Sequence, residues 1–425
     1  MAIVLVIQAI KARFECKIMK ILIVNFSDIE GGAARASYRL HNSLLKEGVS
    51  STMLVKTKKS DDYTVISPTS KIGKFTAKAQ SIINPYPLLK YKEHDLFSPS
   101  FSPSFRIVKA INEINADIVH LHWINAGMLK IEDFSKIKAP IVWSLHDMWA
   151  FTGGCHYSKE CERYKENCGK CIILKSNKEN DLSRKIFNRK KKTFAKTNLT
   201  IIGLSKWLES CAKSSTLFRD KRVVNLPNPI DTNLFKQVEQ KHARKLFNLP
   251  NDKKLILFGA MSATSDKRKG FDQLKKALKS INKECVELLI YGSSKPQNPE
   301  NLGFKSHYLG RLYDDASLTA IYNAADVMIV PSLEENLSNV IMESLSCGTP
   351  VVGFDIGGNS DLIDHKENGY LAKPLDTNDL AKGIEWVLNN ENYLGLKNKS
   401  RAKVLKNFDT TIVAKKYIQL YKSIN

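Results

Sequence analysis

Short apolar runs recur along the chain, each closed by a turn and followed by apolar residues at helical spacing. Strands are predicted at 20–26, 52–56, 64–67, 117–123, 140–149, 200–204 and 222–226. A second series follows at 254–259, 286–291, 307–309, 325–330 and 350–354. Between them, 33–46 carries Tyr38, Leu40, Leu44 and Leu45 on one helical face, and Gly48 stops it. Helices are also predicted at 184–196, from Lys206 onward, and at 271–281, 339–347, 380–388, 393–406 and 412–424. Strand and helix alternate as in the βαβ units of parallel sheets. Residues 68–105 hold scattered prolines and aromatics and read as irregular, and Asn368-Gly369-Tyr370 reads as a hairpin-like turn.

Pro227-Asn228-Pro229-Ile230-Asp231 denies a helix and reads as a stiff linker. The chain thus divides into a first domain, 19–228, and a second, 229–407, with a last helix at 408–425. Residues 1–18 are apolar at first but lack a leading positive charge and a cleavage site, so they make a poor signal peptide. Met19 begins the first strand and reads as the natural start, 1–18 being an upstream extension or else a short membrane-surface anchor.

Composition adds one departure from the ordinary. The 425 residues are 43% hydrophobic, with no run long enough to span a membrane, but the net charge is +22. Such an excess attracts anionic partners: nucleic acid, membrane surface or phosphorylated substrates. The stretch 184–196 holds seven basic residues and no acid, with Ile186, Phe187, Phe194 and Ala195 giving an apolar side. It reads as a helix lying on anionic lipid, or as a solvated basic face. A cytoplasmic chain, peripheral on the inner face of the membrane, is the expectation.

The chemistry gathers at predicted strand ends. The unit 330–354 places Glu335, Leu337, Ser338, Asn339 and Val340 at the start of a helix, where N–H groups suit a phosphate. Glu335 and Glu343 are acceptors only and suit sugar hydroxyls. A ligand with both phosphate and hydroxyls, such as a nucleotide sugar, fits. The Gly31-Gly32 turn before the first helix repeats the phosphate geometry. His120, His122 and His146 stand at adjacent strand ends, and His146 is favoured as a cleft residue. Cys155, Cys161, Cys168 and Cys171 lie within seventeen residues. They suit a structural zinc, free reduced thiols, or disulfides in an exported protein.

The spacing from Glu335 to Glu343, followed by Cys347-Gly348-Thr349-Pro350-Val351, resembles the retaining family-four glycosyltransferases. The Gly31-Gly32-Ala33-Ala34-Arg35 loop and the Lys269-Gly270 pair resemble them too. Thr152-Gly153-Gly154-Cys155-His156-Tyr157 is similar to a subset acting in bacterial exopolysaccharide (colanic-acid-like) assembly. The resemblance implies a GT-B fold: two Rossmann-like doubly wound domains facing across a cleft, with the last helix crossing back onto the first domain. It implies transfer of a sugar, with retention, from a nucleoside-diphosphate sugar to a lipid-linked or saccharide acceptor in cell-surface polysaccharide biosynthesis. Lys269, with Arg268 replacing the usual arginine after the strand, and the N–H groups at Ser338, Asn339 and Val340 would hold the diphosphate. Gly31 and Gly32 would approach it from the other domain. Glu335 would hold the donor sugar, Glu343 the ribose diol, and Gly310 the nucleobase through its backbone. His146 would stand near the acceptor. No Asp-x-Asp sequence occurs, which fits a transfer needing no metal cofactor. The alternatives are a GT-B phosphorylase or epimerase, and a basic zinc-containing nucleic-acid binder; no nucleic-acid partner is expected.

Overall fold

The computed structural model describes residues 19–68, 83–91, 93–102, 105–259, 266–292, 302–312 and 314–424. The first domain holds β1 (Lys20–Ser27), α1 (Gly32–Lys46), β2 (Ser50–Thr57), β3 (Val65–Ile66), α2 (Phe105–Ile114), β4 (Ile118–Leu121) and β5 (Ile141–Leu145). It continues with α3 (Leu182–Phe194), β6 (Leu199–Gly203), α4 (Lys206–Ser214) and β7 (Arg222–Asn225). The second holds α5 (Gln240–Leu246), β8 (Lys254–Gly259), α6 (Phe271–Leu278), β9 (Val286–Tyr291), β10 (Ser306–Tyr308), α7 (Asp315–Ala324) and β11 (Val327–Val330). Then come α8 (Asn339–Ser346), β12 (Val351–Phe354), α9 (Asn359–Leu362), β13 (Gly369–Ala372), α10 (Thr377–Leu388), α11 (Tyr393–Asn407) and α12 (Thr410–Lys422).

The strands form two parallel sheets, ordered β3-β2-β1-β4-β5-β6-β7 and β10-β9-β8-β11-β12-β13. Each order reverses direction beside its first strand, and side chains converge at that switch point at the carboxyl edge. The central strands read as unbroken apolar runs because helices cover both faces: Val327, Met328 and Ile329 are fully buried. One apolar body runs through both domains, joining Ile23 and Leu204 of the first to Tyr322 and Leu345 of the second. Tyr417 and Tyr421 of α12 belong to the same body. The last helix does cross back: the Tyr421 hydroxyl lies 2.7 Å from His120 Nδ1 under the first sheet. The linker is tied to it, Ile230 N–H donating to the Phe408 carbonyl at 2.9 Å.

Several local readings are corrected. Gly369 does not close a hairpin; it enters β13, which pairs in parallel with β12. The helices α2 and α9 are not among the expected elements: α2 does carry helical periodicity, with Ile107, Val108 and Ile111 buried on one face, whereas α9 is a single turn. The basic helix α3 does not offer an apolar face to lipid. Ile186, Phe187 and Phe194 are buried, with Phe194 5.1 Å from the Phe134 ring. Arg189 forks onto Glu132 at 2.7 and 2.9 Å, and Lys190 is buried. Lys185, Lys191, Lys192 and Lys196 remain exposed as a solvated basic face. The 1–18 extension lies outside the described residues, and so does Ala260 after β8. Among the described residues no helix is long and apolar enough to cross a membrane.

Candidate active site

The second domain supplies the floor of the cleft between the sheets. The β11 strand ends at Val330, and Pro331 starts the loop that leads to α8. The Ser338 side chain does not cap α8, so the helix presents its first N–H groups and positive end to the cleft. Lys269 closes a short 3₁₀ turn at Lys267–Lys269 and sits over that end. Gly270 follows it because the turn packs on Pro331: a Cβ there would lie 1.8 Å from the Pro331 carbonyl oxygen, and its φ is +74°. Lys269 Nζ is 3.1 Å from Glu335 Oε2. The two residues assigned to diphosphate and sugar therefore meet, and each is the other's counter-ion. Arg268 is nearby but tied down: its fork holds Asp266 at 2.7 and 3.2 Å, and its guanidinium lies 5.9 Å over the Tyr157 ring.

The first domain supplies the roof. Gly31 is the residue before α1 and takes φ +101°, which favours glycine; a Cβ on it would meet nothing within 4 Å. The glycine is thus needed for the turn, while the space before it stays open. Asn339 Nδ2 donates to the Gly32 carbonyl at 3.0 Å, so the starts of α1 and α8 face each other across the cleft. Asn336 adds a second stitch, donating to the Leu145 carbonyl at 3.0 Å and accepting from the Ser205 hydroxyl at 2.7 Å.

The three histidines separate by role. His120 is buried between Ser144 and Tyr421, and burial pushes its imidazole down to about 3. His122 is buried too, with Nδ1 2.9 Å from His146 Nε2. Only His146 reaches the cleft, and burial holds it down to about 4, so it is neutral at pH 7. His122 Nε2 has no partner. An unbonded lone pair is tolerated better than an unbonded N–H. The network then places the His122 proton on Nδ1 and the His146 proton on its own Nδ1, available to a ligand oxygen.

A group around His146 escaped the sequence reading. Asp147 accepts from Trp123 Nε1 at 3.2 Å and from the Trp149 N–H at 2.8 Å, and pairs with His156 Nδ1 at 2.7 Å. Burial alone would raise this carboxyl; His156 and the N–H donor hold it below the usual range. His156 bonds Ser98 through Nε2 and stacks on Trp123. His146, Asp147, Trp123, Lys269, Glu335 and the α8 start line one cavity of about 460 Å³ between the domains. A neighbouring cavity of about 680 Å³ shares Tyr157, Arg268 and Glu335. Gly310 does not line the first cavity; it lies two residues beyond β10, with φ +65° and open space before it.

Glu343 is not in an open pocket. It is buried under α1, with Oε1 2.7 Å from Arg39 Nη2 and Oε2 accepting from the Tyr322 hydroxyl at 2.8 Å. The four cysteines of the loop after β5 are free; Cys155, Cys168 and Cys171 are buried, Cys161 partly so. The sulfurs influence one another, and those of Cys168 and Cys171 accept N–H groups from Gly153 and from Ile173 and Leu174. Buried Lys190 adjoins Cys155 and Cys168 and donates to the Trp149 and Thr152 carbonyls; burial pushes it down to about 7. Among the described residues no three Cys, His, Asp or Glu side chains form a ready metal cage.

With this geometry in view, comparison with known proteins is decisive. A family model described as Glycosyltransferase Family 4 matches residues 30–234, and one for Glycosyl transferases group 1 matches 252–390. The chain is a family-four glycosyltransferase. The transferase is 28% identical over 213 residues to an uncharacterised glycosyltransferase of Methanocaldococcus jannaschii, covering 48% of this chain and 53% of that one. The chain thus spans about half the length of that relative. It is 24% identical over 356 residues to WcaC of Escherichia coli K12, provisionally named a colanic acid biosynthesis glycosyl transferase, covering 79% and 82%. Among solved structures, sucrose-phosphate synthase of Thermosynechococcus elongatus superposes with a TM-score of 0.69 at 20% identity, covering 95% of this chain and 98% of that one. HepE of Anabaena, solved with UDP-glucose, gives a TM-score of 0.64 at 16% identity, covering 95% and 100%. The transferase has the GT-B fold: two Rossmann-like domains, each a parallel sheet covered by helices.

Proposed function

We propose that this transferase moves a sugar, with retention, from a nucleoside-diphosphate sugar to a lipid-linked or saccharide acceptor of a cell-surface polysaccharide. The observation that carries this reading is the meeting of Lys269, Glu335 and the α8 start in one cavity with His146 opposite. The chemical problem is charge growing on the departing diphosphate. A lysine and a helix N-terminus fixed in place answer it without reorganisation. Glu335 accepts from sugar hydroxyls once the donor phosphate takes over Lys269. The neutral His146 donates from Nδ1 to an oxygen of the donor or acceptor. Trp123 and Tyr157 flank the acceptor side, where aromatic rings suit sugar C–H faces. Among the carboxylates lining the cavity, Asp147 is engaged by His156 and Trp123 and Asp266 by Arg268, and Glu335 is taken up by the hydroxyls of the donor sugar, so none is left to attack. This supports a departing phosphate that takes the acceptor proton on the same face. A Campylobacter jejuni relative, 25% identical over 191 residues, is named an N,N'-diacetylbacillosaminyl-diphospho-undecaprenol α-1,3-N-acetylgalactosaminyltransferase, a name that pairs a lipid-linked acceptor with an α linkage and is in keeping with this reading.

The test is a donor panel of UDP-, GDP- and ADP-sugars offered with undecaprenyl-diphosphate-linked and free saccharides. Transfer from one donor, with the product anomer the same as the donor's by NMR, supports the reading. Release of sugar phosphate by inorganic phosphate, or interconversion of the donor without an acceptor, would sink it.

A further inference from the structure

The carboxylate assigned to the donor ribose is already occupied. Arg39 reaches it from the first domain, its side chain only 9% exposed and that of Glu343 4%. The groups that receive the guanidinium belong to the second domain, and one of them, Asp315, is shared with Arg35 of α1 at 3.0 Å. Glu343 accepts at 2.7 Å, Asp315 stands 3.7 Å away, and the Phe235 ring lies 4.9 Å beneath. Tyr322, also fully buried, holds the other oxygen of Glu343 and is itself 2.8 Å from the Tyr291 hydroxyl. A vicinal diol needs both acceptor geometry and access, and Glu343 has neither while Arg39 is seated. The seat is also incomplete. Arg39 Nη1 is buried with no partner. A guanidinium that leaves one fork arm unmet is held less firmly than a fully bidentate pair.

We propose that Arg39 is a displaceable stand-in for the donor ribose and so sets the affinity for the donor nucleotide. It caps Glu343 in the empty enzyme, and the diol of an incoming nucleotide replaces it. This rests on the donor reading above. A bound state that must first be uncovered lowers apparent affinity by the fraction of time it is uncovered. Removing the cap therefore tightens nucleotide binding, and it does so only for nucleotides that carry the diol.

The experiment is calorimetric titration of the full chain with UDP, GDP and ADP, and with their 2′,3′-dideoxy counterparts. The wild type is compared with Arg39→Met, and with Lys46→Ala, which breaks a different contact from α1, the one to Asp231. The expected result is about a tenfold lower Kd for the ribonucleotide in Arg39→Met. The dideoxy form should show no such gain, and Lys46→Ala no change. If Arg39→Met does not fold, Arg39→Lys carries the test, since it loosens the seat without leaving Glu343 bare. Weaker binding by the variant would overturn the proposal by making Arg39 a ligand of the donor. Equal gains with and without the diol, or no gain, would also overturn it while leaving the donor reading intact. Failure of both proteins to bind any of the nucleotides would remove the donor reading and this inference with it.

Discussion

Lys269→Met isolates the electrostatics of the departing group. The side chain keeps its apolar stem and loses the charge 3.1 Å from Glu335. As the glycosidic bond breaks, close to one unit of negative charge moves onto the diphosphate. A fixed cation about 4 Å from that charge, at an effective dielectric of about 20, is worth about 4 kcal/mol. Lys269 is 29% exposed. Part of its attraction also acts on the phosphate charges before reaction and so tightens binding without speeding the step. Discounting both leaves about 3 kcal/mol, a loss on the order of 10² in kcat. The assay is release of nucleoside diphosphate under saturating donor, with KM measured alongside. Glu335→Gln in the same series controls for the carboxylate that the mutation leaves unpaired. If kcat stays within about threefold and only KM rises, Lys269 contributes uniform binding and the leaving-group argument fails.

Other predictions follow from burial. His120, His122, His41 and His146 are all pushed down by burial, the first to about 3 and the last two to about 4. Their stabilisation is fully present above the unfolded value of about 6.5 and is lost as pH falls toward 4, at up to about 1.4 kcal/mol per unit for each; urea midpoints that do not fall between pH 7 and 5 would contradict it. Arg244 pairs with Asp326 at 2.8 Å and also holds the carbonyls of Ala324, Pro250, Asn251 and Lys253, both side chains being buried. Arg244→Met should therefore cost about 3–5 kcal/mol in urea unfolding, and a loss below about 1 kcal/mol would refute the pairing. The thiol loop is tested by metal analysis: one zinc per chain, lost in Cys168→Ser/Cys171→Ser, supports a structural zinc, and metal-free protein with these thiols titrating only after unfolding rules it out.

What could be read from the sequence was what lies close in sequence. Lys269-Gly270, Glu335 and the start of α8 announce themselves because a strand end and the following helix fall within a dozen residues, and the parallel sheet brings such ends to one edge. Asp147 stands next to His146, yet its partner His156 arrives through an irregular loop with no periodicity to place it. The seam between domains was invisible for a stronger reason. Arg39 and Glu343 are 304 residues apart, and Asn336 and Leu145 are 191 apart. The α3 helix misled in the opposite direction. Its basic run looked like a lipid-facing surface, but Arg189 and Lys190 have buried stems and internal partners, which composition cannot distinguish from solvated charge.

The two kinds of contact across the domains differ in what water can replace. Near the linker, the domains and α12 share a continuous apolar body containing Tyr322, Leu345, Tyr417 and Tyr421. Separating those surfaces exposes apolar area, for which water offers no compensation. In the cleft the contacts are polar, Asn336 to the Leu145 carbonyl and Asn339 to the Gly32 carbonyl, and Arg39 to Glu343 is a polar contact buried beside Tyr322. Each such bond is exchanged for water at a net cost of about 0.5–1.5 kcal/mol, and more for the ion pair. The cleft therefore yields first where the proposed donor would enter, and it holds where the chain passes between domains. On the proposed reading, a nucleotide-sugar donor would bring its own phosphates and hydroxyls to Asn339, Lys269 and Glu343 and restore what opening removes. Closing around it then costs little, which is the condition for a site that must exchange its ligand every turnover.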